Sequence, residues 1–229
     1  KLTIRVHVQC HNKNSSNCQV LGKTVTIDLK NRELIWKNLT SQNRNKIRKA
    51  IKSGVEIYWG RNPELFKQFI NLYYDTMDNQ NARDYYYFKY EFFDSILNEL
   101  KYNSLIFYAM YDKKIIAMSL ILFSNKQMHY HLSASDKKYR NLAPTNLLLY
   151  EAACWGSENG YSTFHLGGGL GSAEDSLYEF KKSFNRNSST SFSIGKKIFN
   201  NDIYEKLVEI RKKKESINEN LTFFPIYRL

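Results

Sequence analysis

One lysine stands out as a side chain that could do chemistry. Between Leu177 and Phe184, apolar residues recur at helical spacing and predict the inward face of a short helix. Lys181 lies four residues after Leu177 and three before Phe184, so its ammonium would lie at the edge of that face. Such a charge is costly to bury unless negative charge faces it. We therefore predict that Lys181 faces a substrate; the alternative is a lysine whose stem follows the aromatic rings out to solvent.

Two histidines and two serines could exchange protons or hydrogen bonds with a substrate. His131 and His165 occupy polar positions of two predicted strands, so either imidazole could accept a proton from an attacking amine. The alternative for each histidine is a hydrogen-bonded structural role. Ser133 and Ser135 close the first of these strands and could hydrogen-bond a substrate.

An arginine and a glycine cluster could hold anionic or carbonyl groups. Arg140 precedes a predicted helix, and its guanidinium could bind two phosphate or carboxylate oxygens there. A surface salt bridge is the alternative. Gly167, Gly168 and Gly169 follow the second strand, and three adjacent glycines exceed what one turn needs. They predict close approach of a substrate at the carboxyl end of that strand.

A predicted β-α-β unit positions these residues. The first strand spans Gln127–Ser135, the helix Asn146–Asn159, and the second strand begins at Ser162. The apolar positions of the first strand are Met128, Tyr130 and Leu132. Two upstream segments predict a hairpin, so we expect an α/β fold whose mixed sheet is flanked by helices.

Positive charge dominates the chain and has a local concentration. The 229 residues carry a formal net charge of +12, which favours a polyanionic partner such as tRNA, a pyrophosphate-linked substrate or an anionic membrane surface. A long helix is predicted over Arg32–Ser53, with Arg44, Arg48 and Lys52 as a basic stripe at four-residue spacing. That stripe could contact a polyanion, or it is a solvated face.

Several other classes of protein are excluded by the residues present. No Ser-His-Asp or nucleophile-elbow pattern occurs. Cys10, Cys18 and Cys154 form no C-x-x-C pair, which argues against a metal site and favours a reducing cytoplasm. No apolar run is long enough to span a bilayer, so we expect at most peripheral contact with the inner face of a membrane.

The order strand, Tyr139-Arg140, helix, strand resembles the central motif of the GNAT acyltransferase fold. The resemblance implies two parallel strands that splay apart around the acyl carbonyl of the donor. It also implies a loop that binds the pyrophosphate of acyl-CoA through backbone N–H groups. In this chain Ala143 replaces the first glycine of that loop, and Pro144 has no N–H to offer a phosphate.

More of the chain resembles the Fem family of peptidoglycan aminoacyltransferases within that superfamily. The matching pieces are Arg5-Val-His7, Trp36-Lys-Asn-Leu with Arg44 and Ile47-Arg-Lys-Ala50, Tyr139-Arg140 with Pro144, Phe164-His-Leu-Gly-Gly-Gly169, and Leu177-Tyr-Glu-Phe-Lys181-Lys-Ser-Phe184. The resemblance implies that Lys181 polarises the donor carbonyl, that Arg140 grips phosphate, and that Tyr178 contacts substrate. After Phe184, many relatives have glycines where this chain has Asn185-Arg186-Asn187, so the acceptor could differ.

The Fem resemblance implies transfer of an amino acid from aminoacyl-tRNA to an amine of a lipid-linked or nucleotide-linked peptidoglycan precursor, with no bound cofactor. An acetyl-CoA-dependent N-acetyltransferase for an amino sugar or peptide amine is the first alternative. A non-catalytic module that binds anionic glycan or RNA is the second. Fem proteins contain two GNAT-like halves, so we expect residues 1–30 to be the closing strands of a truncated first half and residues 31–229 to be a GNAT-like domain.

Overall fold

The computed structural model describes residues 18–214 and 224–228. These residues fall into two compact units: residues 22–190 form one, and residues 18–21, 191–214 and 224–228 belong to the other. The boundary expected at residue 30 stays a prediction. The portion of the expected closing strands that precedes residue 18 lies outside the described residues.

The described residues contain eight strands and seven α-helices. The strands are β1 (Cys18–Lys23), β2 (Val25–Asp28), β3 (Glu56–Gly60), β4 (Ser104–Tyr111), β5 (Lys114–Ser124), β6 (Gln127–Ser135), β7 (Thr163–Gly167) and β8 (Ser191–Gly195). The helices are α1 (Arg32–Asn38), α2 (Ser41–Lys52), α3 (Pro63–Asn79), α4 (Tyr90–Glu99), α5 (Pro144–Glu158), α6 (Ser176–Lys182) and α7 (Asn201–Lys214). A 3₁₀ turn, Lys137–Leu142, joins β6 to α5 and is called the β6–α5 turn below.

Six strands form one mixed sheet in the larger unit, in the order β2-β7-β6-β5-β4-β3. Every neighbouring pair is antiparallel except β6 and β7, which are parallel and are connected through α5. The predicted β-α-β unit, the upstream hairpin of β4 and β5, and the mixed α/β class are therefore confirmed.

The parallel strands stay paired over only three residues. The register joins Gln127 to Thr163, Met128 to Phe164 and His129 to His165. Beyond these pairs β6 continues to its end and β7 continues to the glycine cluster, so the two strands separate. We call the space between them the gap.

A bulge in β6 changes which face its side chains occupy. Leu120 lies opposite Leu132, and Ile121 lies opposite Tyr130, which leaves His131 as the extra residue. Tyr130 packs against the core on one side of the sheet, whereas Leu132 packs against the core on the other side. The expected single apolar face of this strand is therefore wrong at Leu132, because the extra residue reverses the alternation.

Helices cover both sides of the sheet. Residues of α1, α2 and α5 pack with β2 and β7 in one apolar core, which includes Leu148 and Phe164, both fully buried. Residues of α3 and α4 form a second core on the opposite side, around Phe69 and Phe93. The sheet is thus buried on both faces over its central strands, as a parallel β-α-β crossover requires.

The helix expected over Arg32–Ser53 is wrong in one respect, because it is two helices. α1 ends before Leu39, and the Thr40 hydroxyl accepts a hydrogen bond from the Asn43 N–H at 3.2 Å, which caps α2. The Thr40 N–H in turn donates to the Ser183 carbonyl at 2.9 Å. The break therefore ties the start of α2 to the residue that follows α6.

The smaller unit contains residues 18–21 of β1 together with β8 and α7. The first two pair as a two-stranded sheet. On α7, the Tyr204 ring stacks on Phe224 and meets Tyr227 edge-on, with centroids 6.0 and 5.6 Å apart. Residues 224–228 therefore pack on α7 within this unit.

A buried pair of side-chain amides joins α2 to α5. Removing one member of the pair should lower the stability of the protein. The Asn146 side chain donates to Asn43 Oδ1 at 2.8 Å, and both residues are buried. Asn146→Ala should lower the free energy of unfolding by about 1–3 kcal/mol, because it leaves that oxygen buried without its donor. Urea denaturation measures this difference. The exposed Gln42→Ala, also on α2, should change stability by less than about 0.5 kcal/mol, and equal effects of the two variants would contradict the prediction.

Candidate active site

The glycine cluster follows β7 where the gap is open, and each glycine has its own steric reason. Gly167 has a φ of +80°, which disfavours any side chain. A Cβ at Gly168 would lie 2.6 Å from the Lys23 carbonyl oxygen. A Cβ at Gly169 would lie 2.2 Å from the Ala173 carbonyl oxygen. Backbone packing thus accounts for three adjacent glycines, and substrate approach at these positions stays a prediction.

The Lys181 side chain bridges the ends of the two diverging strands. Its Nζ donates to the Gly168 carbonyl at 2.6 Å and lies 6.0 Å from the ring centroid of Tyr130 on β6. The residue is only 9% exposed. Burial lowers the pKa of Lys181 to about 8, and the charge of Asp175 opposes that shift. The structure therefore places a partly desolvated cation beside the gap.

Asp175 holds the glycine loop and α6 together. One carboxylate oxygen accepts from the Tyr178 N–H at 2.9 Å and caps α6, and the other accepts from the Leu170 N–H at 3.0 Å. These backbone hydrogen bonds lower the pKa of Asp175. Sequence reasoning did not select Asp175 as a site residue. The available signal was an aspartate at the start of the predicted short helix, since aspartate is a preferred capping residue.

Three hydroxyl groups lie together at β5 and β6. Ser133 Oγ lies 3.2 Å from Ser119 Oγ and donates to the Met118 carbonyl at 3.3 Å. Burial raises the pKa of Tyr130, and the two neighbouring serine hydroxyls oppose that rise. Among the predicted site residues, the structure thus brings Lys181, Gly167, Gly168 and Ser133 around Tyr130 and the gap. Tyr130 was missed because the alternation marks it as apolar.

The histidines lie on the other side of the sheet. His165 contacts His129, with 3.1 Å between the two Nδ1 atoms and 5.2 Å between stacked rings. Their strand neighbours Met128 and Phe164 belong to the α5-side core, so the imidazoles face the opposite side. The missed residue is His129. The signal was available, because parallel pairing of the two central strands places it next to His165.

His131, the bulged residue, is separate from that pair. Its ring lies 6.0 Å from the Phe92 ring and 5.9 Å from His129, measured between centroids. Burial lowers the pKa of His131 to about 4. The imidazole is therefore neutral near pH 7, where it can accept a hydrogen bond but is a weak base.

The remaining predicted residues are spread around the site. Arg140 is exposed on the β6–α5 turn. Ser135 is fixed to α3, since its N–H donates to the Thr76 hydroxyl at 3.0 Å. Tyr178 is 4% exposed and belongs to the core. Their proposed substrate contacts stay predictions.

The start of α5 differs from a phosphate-binding helix N-terminus. Ala143 has a left-handed backbone with φ of 54°, and Pro144 is the first helical residue. The N–H groups of Ala143 and Asn146 donate to carbonyls of Arg140 and Ala143, both at 3.1 Å. Few N–H groups of this segment therefore point outward to an anion.

Two further properties bear on what the site can hold. Within residues 18–214 and 224–228, no group of three His, Cys, Asp or Glu side chains is arranged to bind a metal ion. In the same residues, no helix has the length and apolar character needed to cross a membrane.

The position of Lys181 predicts its titration. Its ammonium should titrate near pH 8 in NMR spectra of protein labelled at the lysine side chains. Asp175→Asn should move the midpoint to lower pH, because it removes the negative charge that opposes desolvation while retaining an oxygen that can cap α6. Glu174→Gln is the matched control, since Glu174 pairs with Lys23, and it should leave the midpoint in place. A midpoint above 10 in the unaltered protein would contradict this description.

The close contacts around Gly169 predict that a side chain at this position lowers the stability of the protein. Gly169→Ala should lower the free energy of unfolding by about 1–3 kcal/mol, because the new Cβ must displace backbone at Ala173 and the Asp175 carboxylate. Gly195→Ala is the control, since no atom lies within 4 Å of a Cβ built there. Urea unfolding compares the two variants, and an unchanged midpoint for Gly169→Ala would show that the loop can relax.

Comparison with known proteins agrees with this geometry. The family model described as acetyltransferase (GNAT) domain matches residues 37–182, more than half of the chain. Comparison with curated proteins yields no match.

Several solved structures share the fold. FemX aligns with a TM-score of 0.64 at 16% sequence identity, over 83% of this chain and 68% of that one. The C-terminal DUF2156 domain of a lysylphosphatidylglycerol synthetase from Agrobacterium fabrum aligns with a TM-score of 0.59 at 16% identity, over 85% and 65%. L-PGS from Bacillus licheniformis aligns with a TM-score of 0.56 at 15% identity, over 83% and 65%.

The chain thus spans slightly less than two thirds of the two latter structures and slightly more of FemX. At these identities the likeness shows the fold alone, and the fold expected from the sequence is confirmed. Together with the family match, the splayed strands identify this chain as a member of the GNAT family that carries an acyltransferase domain.

Proposed function

We propose that this acyltransferase transfers an amino acid from aminoacyl-tRNA to an amine of a peptidoglycan precursor. The observation that carries the proposal is the Lys181 ammonium, buried beside the gap and hydrogen-bonded to the Gly168 carbonyl. The fold likeness to FemX supports the Fem-like interpretation. The likeness to two proteins named for lysylphosphatidylglycerol synthesis or L-PGS makes a lipid-linked acceptor a reasonable member of the acceptor panel.

The proposed reaction needs no covalent intermediate with the protein. The acceptor amine attacks the ester carbonyl of the donor, a C–N bond forms, and the bond to the ribose oxygen breaks. The amine loses a proton, and the departing ribose oxygen gains one. Because the ester is already activated, orientation and stabilisation of the oxyanion supply most of the rate.

Lys181 is suited to stabilise that oxyanion. An ammonium has three N–H donors, and one is used by Gly168. The others can reach a carbonyl oxygen that enters the gap. Because the side chain is 9% exposed, its field is less screened by water than that of a surface lysine.

Two groups of side chains can take part in the proton transfers. The hydroxyls of Tyr130, Ser119 and Ser133 lie on the Lys181 side of β6 and can return a proton to the ribose oxygen. His165, with His129, lies on the opposite face with its Nε2 buried, so a transfer of the amine proton to this pair requires the amine to enter that face of the sheet. His131 serves as a hydrogen-bond acceptor in this scheme, because its pKa of about 4 makes it a weak base.

The start of α5 favours tRNA over acyl-CoA as donor. Pro144 and the left-handed Ala143 leave few outward N–H groups for a pyrophosphate. Arg140 is exposed beside this segment and can grip a phosphate or the carrier instead.

The proposal predicts the effect of changing Lys181. Lys181→Ala should lower kcat for transfer from charged tRNA by about 100- to 1,000-fold, because the oxyanion loses its cation. For the unaltered protein, transfer should decline as pH rises through about 8, since the ammonium loses its proton there. Lys181→Arg should retain part of the activity and lose that alkaline decline, because a guanidinium stays charged.

A donor panel of charged tRNA and acetyl-CoA, with lipid-linked and nucleotide-linked precursors as acceptors, measures these rates. Lys67→Ala, an exposed position on α3, is the control and should match the unaltered protein. Transfer from acetyl-CoA alone would overturn the proposal in favour of an N-acetyltransferase. Full activity of Lys181→Ala with charged tRNA would remove Lys181 from the mechanism.

A further inference from the structure

The structure joins two cationic elements into one surface beside the candidate active site. This basic surface comprises Arg44, Lys46, Arg48, Lys49 and Lys52 of α2 together with Lys137, Lys138 and Arg140 of the β6–α5 turn. α2 packs against that turn and along α5. All of these side chains are exposed except Arg44, which is half-buried.

Three carboxylates, Asp75, Asp78 and Asp136, line a pocket with Lys137 and Lys138 and offset only part of the charge of this surface. The twelve residues of α2 and the six of the turn include no Asp or Glu. Within the part of the chain that the structure describes, none of the eight cations forms an ion pair with a carboxylate. Eight neighbouring positive charges repel one another, and a bound polyanion relieves that repulsion.

Local contacts hold two of the arginines in place. Arg44 donates to the Leu39 carbonyl at 2.6 Å. The Arg48 guanidinium lies 5.2 Å from the ring centroid of Trp36 and donates to Asn45 Oδ1 at 3.3 Å. When a ligand binds, these two side chains therefore lose less conformational entropy than unrestrained surface arginines would lose.

The basic surface reaches the candidate active site from two directions. The Thr40 N–H donates to the Ser183 carbonyl, two residues after Lys181, so the start of α2 adjoins the end of α6. The β6–α5 turn follows β6 directly, on the side where the gap opens. A chain of phosphates that lies on this surface can therefore place its end at Lys181.

We propose that the basic surface binds the phosphodiester backbone of the RNA donor and aligns its aminoacylated 3′ end with the gap. This inference rests on the proposed use of aminoacyl-tRNA and adds where the RNA lies. RNA is favoured over a lipid surface because α2 exposes one large apolar side chain, Ile51, at 55%, whereas a membrane-binding helix exposes an apolar stripe. The Arg48–Trp36 pair adds a planar group of the kind that stacks on bases.

Binding of uncharged tRNA at several salt concentrations tests the surface directly. Two double variants, Arg48→Gln with Lys52→Gln and Lys137→Gln with Lys138→Gln, should each weaken binding on the order of 10-fold at 0.15 M salt. Each should also make the slope of log K against log salt less steep, by about one for every phosphate that the variant no longer neutralises. Lys67→Gln with Lys101→Gln removes the same charge from exposed positions at α3 and after α4, and should change neither quantity beyond a small general effect.

A comparison of long and short donors separates this inference from the proposed function. The surface variants should raise KM for charged tRNA about 10-fold or more and leave transfer from an aminoacylated trinucleotide unchanged, because the short donor does not reach α2. Lys181→Ala should impair both donors. If no donor supports transfer but the surface variants still weaken tRNA binding, the proposed function fails and the RNA surface stands.

Two outcomes would overturn the inference. The first is tRNA binding whose affinity and salt slope are the same for the surface variants and for the Lys67–Lys101 control. The second is an effect of the surface variants on binding to vesicles that contain phosphatidylglycerol, with none on tRNA, which would assign the surface to lipid headgroups. Far-UV circular dichroism of each variant shows that the exposed substitutions leave α2 folded.

Discussion

The separation of β6 from β7 after three paired residues is the constraint on which the rest of the site depends. Beyond His129 and His165, the facing edges of two strands no longer satisfy each other's hydrogen bonds, although they lie inside a sheet. Unpaired backbone groups of this kind are costly unless water or a ligand binds them. The gap therefore favours an extended polar ligand, and the glycine loop, the bulge at His131 and α6 lie around it.

The Lys181 ammonium is held near this gap by a balance of opposing terms. Desolvation favours loss of its proton, whereas the Asp175 charge and the Gly168 carbonyl favour the cation. Asp175 also caps α6 and fixes the loop through Leu170 N–H, so one carboxylate sets both the place and the charge of the lysine. A site with a partly desolvated cation sacrifices some stability for electrostatic strength, a common compromise in active sites.

The sequence predicts the elements well where residue pattern alone determines them. Alternating and helical spacing located the β4–β5 hairpin and the β-α-β unit, and Lys181 was selected from its place on an apolar helix face. The predicted elements are wrong where a single residue changes the backbone geometry without altering the hydrophobic pattern of the sequence. The bulge at His131 reverses the faces of β6, and the Thr40 cap divides a continuous amphipathic pattern into two helices. Tyr130 was missed because the alternation marks it as apolar, and His129 was missed because its place beside His165 follows only from the parallel pairing of the two strands.

A crystal structure with a stable donor analogue tests the central claim most directly. The analogue would carry an amino acid joined through an amide to a 3′-amino-terminated RNA, so that the carbonyl is kept and transfer is blocked. The account predicts that this carbonyl lies in the gap between β6 and β7, with its oxygen within hydrogen-bond distance of Lys181 Nζ. A carbonyl bound outside the gap, with Lys181 still contacting only Gly168, would contradict it.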